Sequence, residues 1–385
     1  MGHQGSRGKH RRGVRGVARM NHRERILAML RGGKPDRVPW LGDLTYWATA
    51  LEAYRELPKN FQSLPDYYKW HRDLGVGFYL QGYQPYKAIH DNTIKFRRDH
   101  RGDTTRLTIT TPVGEFYEET TVLPESFTGA PTSHLIKNEK DLATLRFLTE
   151  HTRYEPDYAE ATRRAALVED LGVVLCYLPK SPFMQMTVGL AGIETVVGLA
   201  LDATEEFDKT LECLEAKADE AAAIAVASPA ECLMIPENLS SEMVGPNFFE
   251  TYMRGYQEKW IGRIKAAGKF SFIHMDGTLR GLLQQEASTG FTVLEALTPA
   301  PVGDISWAEL RPLAGPSPIL WGGIPGSYFT PIVDDAEFDR HVKGVLELMK
   351  RDGRCVLGVA DQVPPDALES RVRRVTELTI QHGAY

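Results

Sequence analysis

The feature that most constrains this chain is a regular alternation of short apolar runs and helical stretches through its C-terminal half. The run Val173-Val174-Leu175-Cys176-Tyr177-Leu178 reads as a buried strand, and an alanine-rich helix over 204–227 leads to a second at 231–235. Helices over 247–267, 278–289, 306–313 and 334–351 then alternate with strands at 270–274, 292–296, 319–323 and 355–359, and a helix over 366–382 closes the chain. An earlier strand at 38–43 brings the total to seven strands. Alternating β and α over this length demands a parallel sheet. Seven is one short of a closed (β/α)₈ TIM barrel, so an eighth strand is expected near residue 77 or 183. A doubly wound α/β sheet would want a glycine-rich phosphate turn after an early strand, and the sequence has none.

The N-terminal region is less regular. Asn21 is placed to cap a helix that starts His22-Arg23-Glu24, and 66–75 and 157–170 also read as helical. From about 76 to 135 the pattern changes to alternation, as in Thr104-Thr105-Arg106-Leu107-Thr108-Ile109-Thr110, with a turn at Pro112-Val113-Gly114. This stretch is expected to be an antiparallel β insertion between early barrel strands. Residues 1–20 carry arginines, a lysine and glycines with no acid and no apolar segment, which suits a disordered basic tail better than an RNA- or membrane-binding arm. Met20 offers a second translation start, and 21–385 is expected to form the barrel domain.

Composition narrows the class. A net charge of −6 gives no electrostatic footprint for nucleic acid. No apolar run reaches the ~18 residues of a membrane-spanning helix. The four cysteines (Cys176, Cys213, Cys232 and Cys355) form no CxxC pair, which favours a cytoplasmic protein over a disulfide scaffold.

In a (β/α)₈ barrel, chemistry gathers at the C-terminal strand ends. Reading just past each strand gives Asp43; Tyr177 and Lys180; Glu237 and Asn238; His274 and Asp276; Glu295; Trp321; and Asp361. Each has a structural explanation: Asp276 and Asp361 as helix N-caps, Glu295 as a partner of Lys180, Trp321 as packing. Together, several carboxylates and one histidine make a metal or acid–base site. The sharpest cluster is His274-Met275-Asp276 with Glu237 and Asp361, because a histidine nitrogen with two or three carboxylate oxygens suits zinc or another divalent ion.

Several blocks resemble one family. Asn21-His22-Arg23-Glu24-Arg25 followed by Pro35-Asp36-Arg37-Val38-Pro39 is similar to the opening of the uroporphyrinogen decarboxylase superfamily. So are Phe272-Ile273-His274-Met275-Asp276-Gly277, the segment from Glu295 to Asp304, Leu320-Trp321-Gly322-Gly323-Ile324-Pro325, and the ending from Val363 to Tyr385. The resemblance implies a (β/α)₈ barrel and either a heme-pathway decarboxylase or a corrinoid- or cobalamin-dependent methyltransferase. The decarboxylases carry an arginine-rich clamp soon after the first strand, where this chain reads Trp40-Leu41-Gly42-Asp43-Leu44-Thr45-Tyr46-Trp47. An acidic tetrapyrrole needs fixed cations to replace lost water, so the methyltransferase branch is the closer match.

Thiol-alkylating members of that branch hold zinc with a His-x-Cys pair and a later cysteine, positions occupied here by His274, Asp276 and Asp361. Oxygen ligands make a harder Lewis acid than thiolates, which points away from a thiol and towards a methoxylated substrate. The resemblance thus implies a metal site of His274, Asp361, Glu237 and Asp276. His274, Asp276, Tyr177 and Glu295 would be catalytic, while Asp43, Trp321, Asn238 and Lys180 would bind a small substrate. A cobalamin or corrinoid would come free or on a separate corrinoid protein, since no Asp-x-His-x-x-Gly module is present. A homodimer is compatible with this reading. The alternatives are a metal-free carboxy-lyase, with Asp43 and His274 handling protons, and a non-catalytic binding barrel.

Overall fold

The structure is a computed structural model that describes residues 20–79, 83–124 and 126–385; the expected tail at 1–19 lies outside the described residues. Six parallel strands form one sheet in chain order: Leu175–Tyr177, Cys232–Leu239, Phe270–Met275, Val293–Leu297, Ile319–Pro325 and Cys355–Ala360. Two short segments close the circle. Trp40 forms a parallel bridge to Leu357, Leu41 to Gly77, and Phe78 to Gly172. The seam is held by backbone hydrogen bonds from Leu41 to Leu357 (3.1 Å), Gly77 to Trp40 (3.1 Å), Phe78 to Leu171 (3.0 Å) and Val173 to Phe78 (3.1 Å). The eighth strand position is therefore at 76–79, whereas the segment near 183 is helical.

The seam needs glycine. A Cβ on Gly172 would lie 1.7 Å from the Phe78 carbonyl oxygen, and one on Gly77 would lie 2.7 Å from the Leu41 side chain. Neither approach is compatible with any larger residue at unchanged strand spacing.

Helix His22–Leu30 is fixed at its start by a capping box in which the Asn21 side chain accepts from the Glu24 N–H and the Glu24 carboxylate accepts from the Asn21 N–H, each at 2.8 Å. Its Ile26, Leu27, Met29 and Leu30 pack with Val173, Cys232, Val293 and Ile319, residues at or near the N-terminal ends of the barrel strands. The helix thus plugs one end of the barrel, leaving the C-terminal end as the mouth. A larger apolar layer joins the outer strand faces to the surrounding helices.

The helix expected over 204–227 is observed as Thr204–Ala227. The one expected over 247–267 is divided at Met253 into Pro246–Tyr252 and Arg254–Ala266, and that over 278–289 contracts to Leu283–Ser288.

The β insertion falls between the second and third barrel strands. Strands Tyr86–His90 and Thr152–Pro156 pair antiparallel at its base. Lys95–Arg101, Thr104–Thr111, Gly114–Leu123 and Thr128–Ser133 form a four-stranded meander. Ile94, Ile109, Phe116 and Leu135 give it a small core of its own. The insertion starts later than position 76 because 76–79 is needed to close the barrel, and its base extends beyond 135 to 156. Among the described residues, no helix is long and apolar enough to cross a membrane.

Candidate active site

Strand alternation decides which strand-end residues reach the mouth. The inner core takes Cys232 and Met234, Phe272, Val293, and Ile319 with Trp321. The same parity carries Asn238, His274 and Glu295 inward. His274 and Glu295 are also directly paired in register on adjacent strands, so their side chains lie side by side.

His274 Nδ1 donates to Glu295 Oε2 at 2.7 Å, and the Tyr79 hydroxyl donates to Glu295 Oε1 at 2.8 Å. Both Glu295 oxygens are thereby used, in a side chain that is fully buried. His274 Nε2 is turned to Asp361, 3.7 Å from Oδ1, within ion-pair reach but beyond a hydrogen bond. Burial works against charge on His274, but Glu295, Asp361 and Asp276 together lift its pKa to about 9. The imidazole is therefore held protonated at neutral pH, with its Nε2–H on the open side.

Asp43 sits deeper, where its Oδ1 accepts from the Thr45 N–H at 2.7 Å. Burial, opposed by that hydrogen bond and assisted by Asp361 and Glu295, pushes its pKa up to about 7. Asp361 is likewise shifted up by burial, with His274 opposing.

A cavity of about 300 Å³ opens above these groups, lined by Tyr46, Thr128, Tyr177, Pro236, Asn238, His274, Asp361 and Gln362. Asn238 (φ 55°) and Asp361 (φ 74°) both take the left-handed conformation, which Asn and Asp tolerate better than most residues. The turns they make at their strand ends bring them to the cavity wall. Tyr46 is anchored by its hydroxyl, which donates to the Ser126 carbonyl at 2.6 Å, so the insertion and the helix Thr45–Ala53 after the first strand form one wall together. Among the described residues lining the cavity there is no lysine or arginine.

The structure thus brings together His274, Glu295, Asp361, Asp43, Tyr177 and Asn238 from the expected set. Others lie elsewhere. Glu237 has the opposite parity to Asn238 and is buried against the helices, where both its oxygens accept from the Ser181 N–H at 3.2 Å. Lys180 donates to the Pro236 carbonyl and feels the charges of Glu237 and Asp276; it does not pair with Glu295. Trp321 does not line the cavity but is buried in the inner core, packed on Tyr79 with ring centroids 4.4 Å apart. Asp276 is close enough for its charge to raise the pKa of His274 but does not line the cavity. Neither Asp276 nor Asp361 caps a helix: the next helices begin at Leu283 and Glu369.

These placements bear on the expected metal. His274 Nδ1 is committed to Glu295 and Glu237 faces away, so His274 Nε2 and Asp361 are left without the other donors expected of the set. Among the described residues no group of three or more His, Cys, Asp or Glu side chains is arranged to hold an ion. The donor set does not fit the four-ligand site expected from the sequence.

Sequence reasoning missed Tyr79, Tyr46, Thr128 and Gln362. The short apolar run Val76-Gly77-Phe78-Tyr79 was the available signal for the first. Nothing local marks Thr128, which reaches the mouth only through the fold of the insertion.

A model of the uroporphyrinogen decarboxylase (URO-D) family matches residues 124–382. No curated protein sequence matches the chain. Among solved structures, a methyltransferase from Methanosarcina mazei superposes with a TM-score of 0.60 over 94% of this chain and 99% of that one, at 13% sequence identity. At that identity the likeness speaks for the fold, and it agrees with the barrel described above.

Proposed function

The chain belongs to the uroporphyrinogen decarboxylase family, and from that premise we propose that it is a methyltransferase, moving a methyl group from a small methoxylated substrate to a corrinoid. The observation that carries this reading is that, among the described residues lining the mouth, none is lysine or arginine. Uroporphyrinogen bears many carboxylates, and a site that gathers Asp43, Glu295 and Asp361 around one imidazolium would repel it. A carboxy-lyase acting on an acidic tetrapyrrole is therefore not supported.

The residues suit acid catalysis at an ether oxygen. Glu295 holds His274 through Nδ1, and Tyr79 fixes Glu295 from behind, which leaves the Nε2–H facing the cavity. When the carbon–oxygen bond breaks, the electron pair stays on oxygen and Nε2–H supplies the proton, so the departing group leaves as a neutral alcohol or phenol. Such a proton donor typically contributes about 10²–10⁴ in rate. Tyr177 and Asn238 line the wall against which the substrate would be oriented. A corrinoid would supply the reduced cobalt that accepts the methyl group. The macrocycle is too large for a 300 Å³ cavity, so it would be presented at the mouth, either free or on a partner protein. No step is assigned to a metal ion, because the donor set does not fit one.

The test is incubation of the full-length protein with cob(I)alamin and a panel of methoxylated aromatics, following methylcobalamin by its absorbance. Methyl transfer is expected for at least one member, and no CO₂ is expected from uroporphyrinogen. Carbon dioxide release without cobalamin would overturn the reading.

A further inference from the structure

Among the described residues, the cavity lining combines Tyr46 and Tyr177, the carboxylate of Asp361 and neutral polar groups, and His274 is its one basic member. Tyr46 and Tyr177 both line it, and the Tyr46 ring is held in place by its hydroxyl's bond to Ser126. Asp361 projects into the cavity with its side chain half exposed, and its ion-pair partner among the described residues is His274. That imidazolium is already neutralised at 2.7 Å by the fully buried Glu295. Asp43 adds a second carboxyl group beneath, hydrogen-bonded to a backbone N–H and not to a cation. Asp276 adds a further negative charge nearby. The Lys180 ammonium is bound to the Pro236 carbonyl and lines no part of the cavity. One positive group is therefore shared among several carboxylates, beside two tyrosine rings whose faces attract cations.

We infer that the mouth selects a positively charged small molecule, a protonated or quaternary amine that also carries the transferable methyl group, and rejects anionic analogues. Asp361 would be the counter-ion, and the Tyr46 and Tyr177 rings would contact the ammonium's methyl or methylene groups. What becomes of the ligand rests on the methyl-transfer reading above; the sign of its charge does not. In a cavity partly shielded from water, a carboxylate and two ring faces acting on one ammonium are expected to favour it over a neutral isostere by about ten-fold or more.

The experiment uses three probes of one shape: 4-methoxybenzylamine (cation), 4-methoxybenzyl alcohol (neutral) and 4-methoxybenzoate (anion). Binding to the full-length protein is measured by calorimetry at neutral pH, separately from methyl transfer to cob(I)alamin. The inference expects the amine to bind about ten-fold tighter than the alcohol, with the benzoate weakest, and expects added salt to shrink the amine's advantage. Asp361→Asn removes the charge with a residue that accepts the same positive φ, and should cut the amine's advantage over the alcohol to about three-fold or less. Asp361→Glu should restore part of it. Equal binding of the three probes, tightest binding of the benzoate, no binding of any, or an amine preference unaffected by Asp361→Asn would overturn the inference. An amine that binds tightest yet is never demethylated would uphold charge selection and count against the methyl-transfer reading instead.

Discussion

Buried acids lie on opposite faces of the same barrel wall, and the neighbouring residues Glu237 and Asn238 of one strand point to different faces. Inside, next to Asn238, Glu295 is paired with His274 and Tyr79 beneath an open cavity. Outside, Glu237 is buried with Glu286 and Gln257 between the barrel and its helices. Burial raises the pKa of Glu237, with Lys180 and Ser181 opposing, and raises that of Glu286 well above the carboxylate range. Gln257 lies close enough to affect both carboxyl groups, yet neither its amide atoms nor the Glu286 oxygens make a well-formed hydrogen bond. Burial is complete for the carboxylates of both sets; what differs is access. The inner set has a polarised proton donor facing a space where a substrate fits, whereas the outer acids are fully buried and Glu237 is engaged by the Ser181 N–H. Strong pKa shifts mark buried charge in both places, and only the geometry of the cavity makes one of them a site.

The largest test of this contrast is His274→Ala. It should lower kcat/KM for methyl transfer by about 10²–10⁴, the range for loss of a general acid, and should also lower thermal stability, because the fully buried Glu295 loses its imidazolium partner. An activity loss below ten-fold would remove His274 from the chemistry. Glu237→Ala is the mirror experiment: it leaves the Ser181 N–H without its buried carboxylate acceptor and should cost about 2 kcal/mol of stability in denaturant unfolding, with methyl transfer reduced only a few-fold. Equal damage to activity would mean that the two faces are not separable.

The pH profile sharpens the comparison further. The His274 pKa is raised from its ordinary value of 6.5 to about 9. A raised histidine stabilises the folded state fully below its unfolded pKa, and that contribution is lost as pH rises through about 9. Activity should therefore fall on a basic limb near pH 9. Glu295→Gln removes the strongest favourable partner and should move that limb down by about one unit or more; an unmoved limb would assign the titration to another group. Glu286→Met, which removes two oxygens without hydrogen-bond partners, should be neutral or stabilising by about 1 kcal/mol. The smallest expected effect is that of a chelator, which should leave methyl transfer unchanged. Loss of activity with EDTA, restored by zinc, would return an ion to His274 and Asp361.

How far the sequence reached can be argued from these same residues. The strand carrying His274 and the one carrying Glu295 were legible because each is a short apolar run between helices, and their C-terminal ends must reach the mouth of a parallel barrel. The strand at 76–79 was obscured, being only a few residues long and joined to an insertion with a different periodicity. Glu237 and Asn238 were both read as facing the mouth. Barrel strands are apolar on both faces, so the sequence around Cys232-Leu233-Met234-Ile235 carries no alternation to tell inside from outside. Register with the neighbouring strands supplied that distinction.

By itself, then, the sequence determined the (β/α)₈ plan, the capped helix at Asn21, and the presence of His274, Glu295 and Asp361 at strand ends. These follow from local periodicity and from backbone sterics, which act between residues close in the chain or are fixed by residue type. The tertiary structure alone decided that Glu295 serves His274 and not Lys180, that Glu237 belongs to the packing, and that Tyr79 and Thr128 join the site. Those outcomes depend on which strand faces which across a closed barrel, a choice settled by contacts between residues tens to hundreds of positions apart.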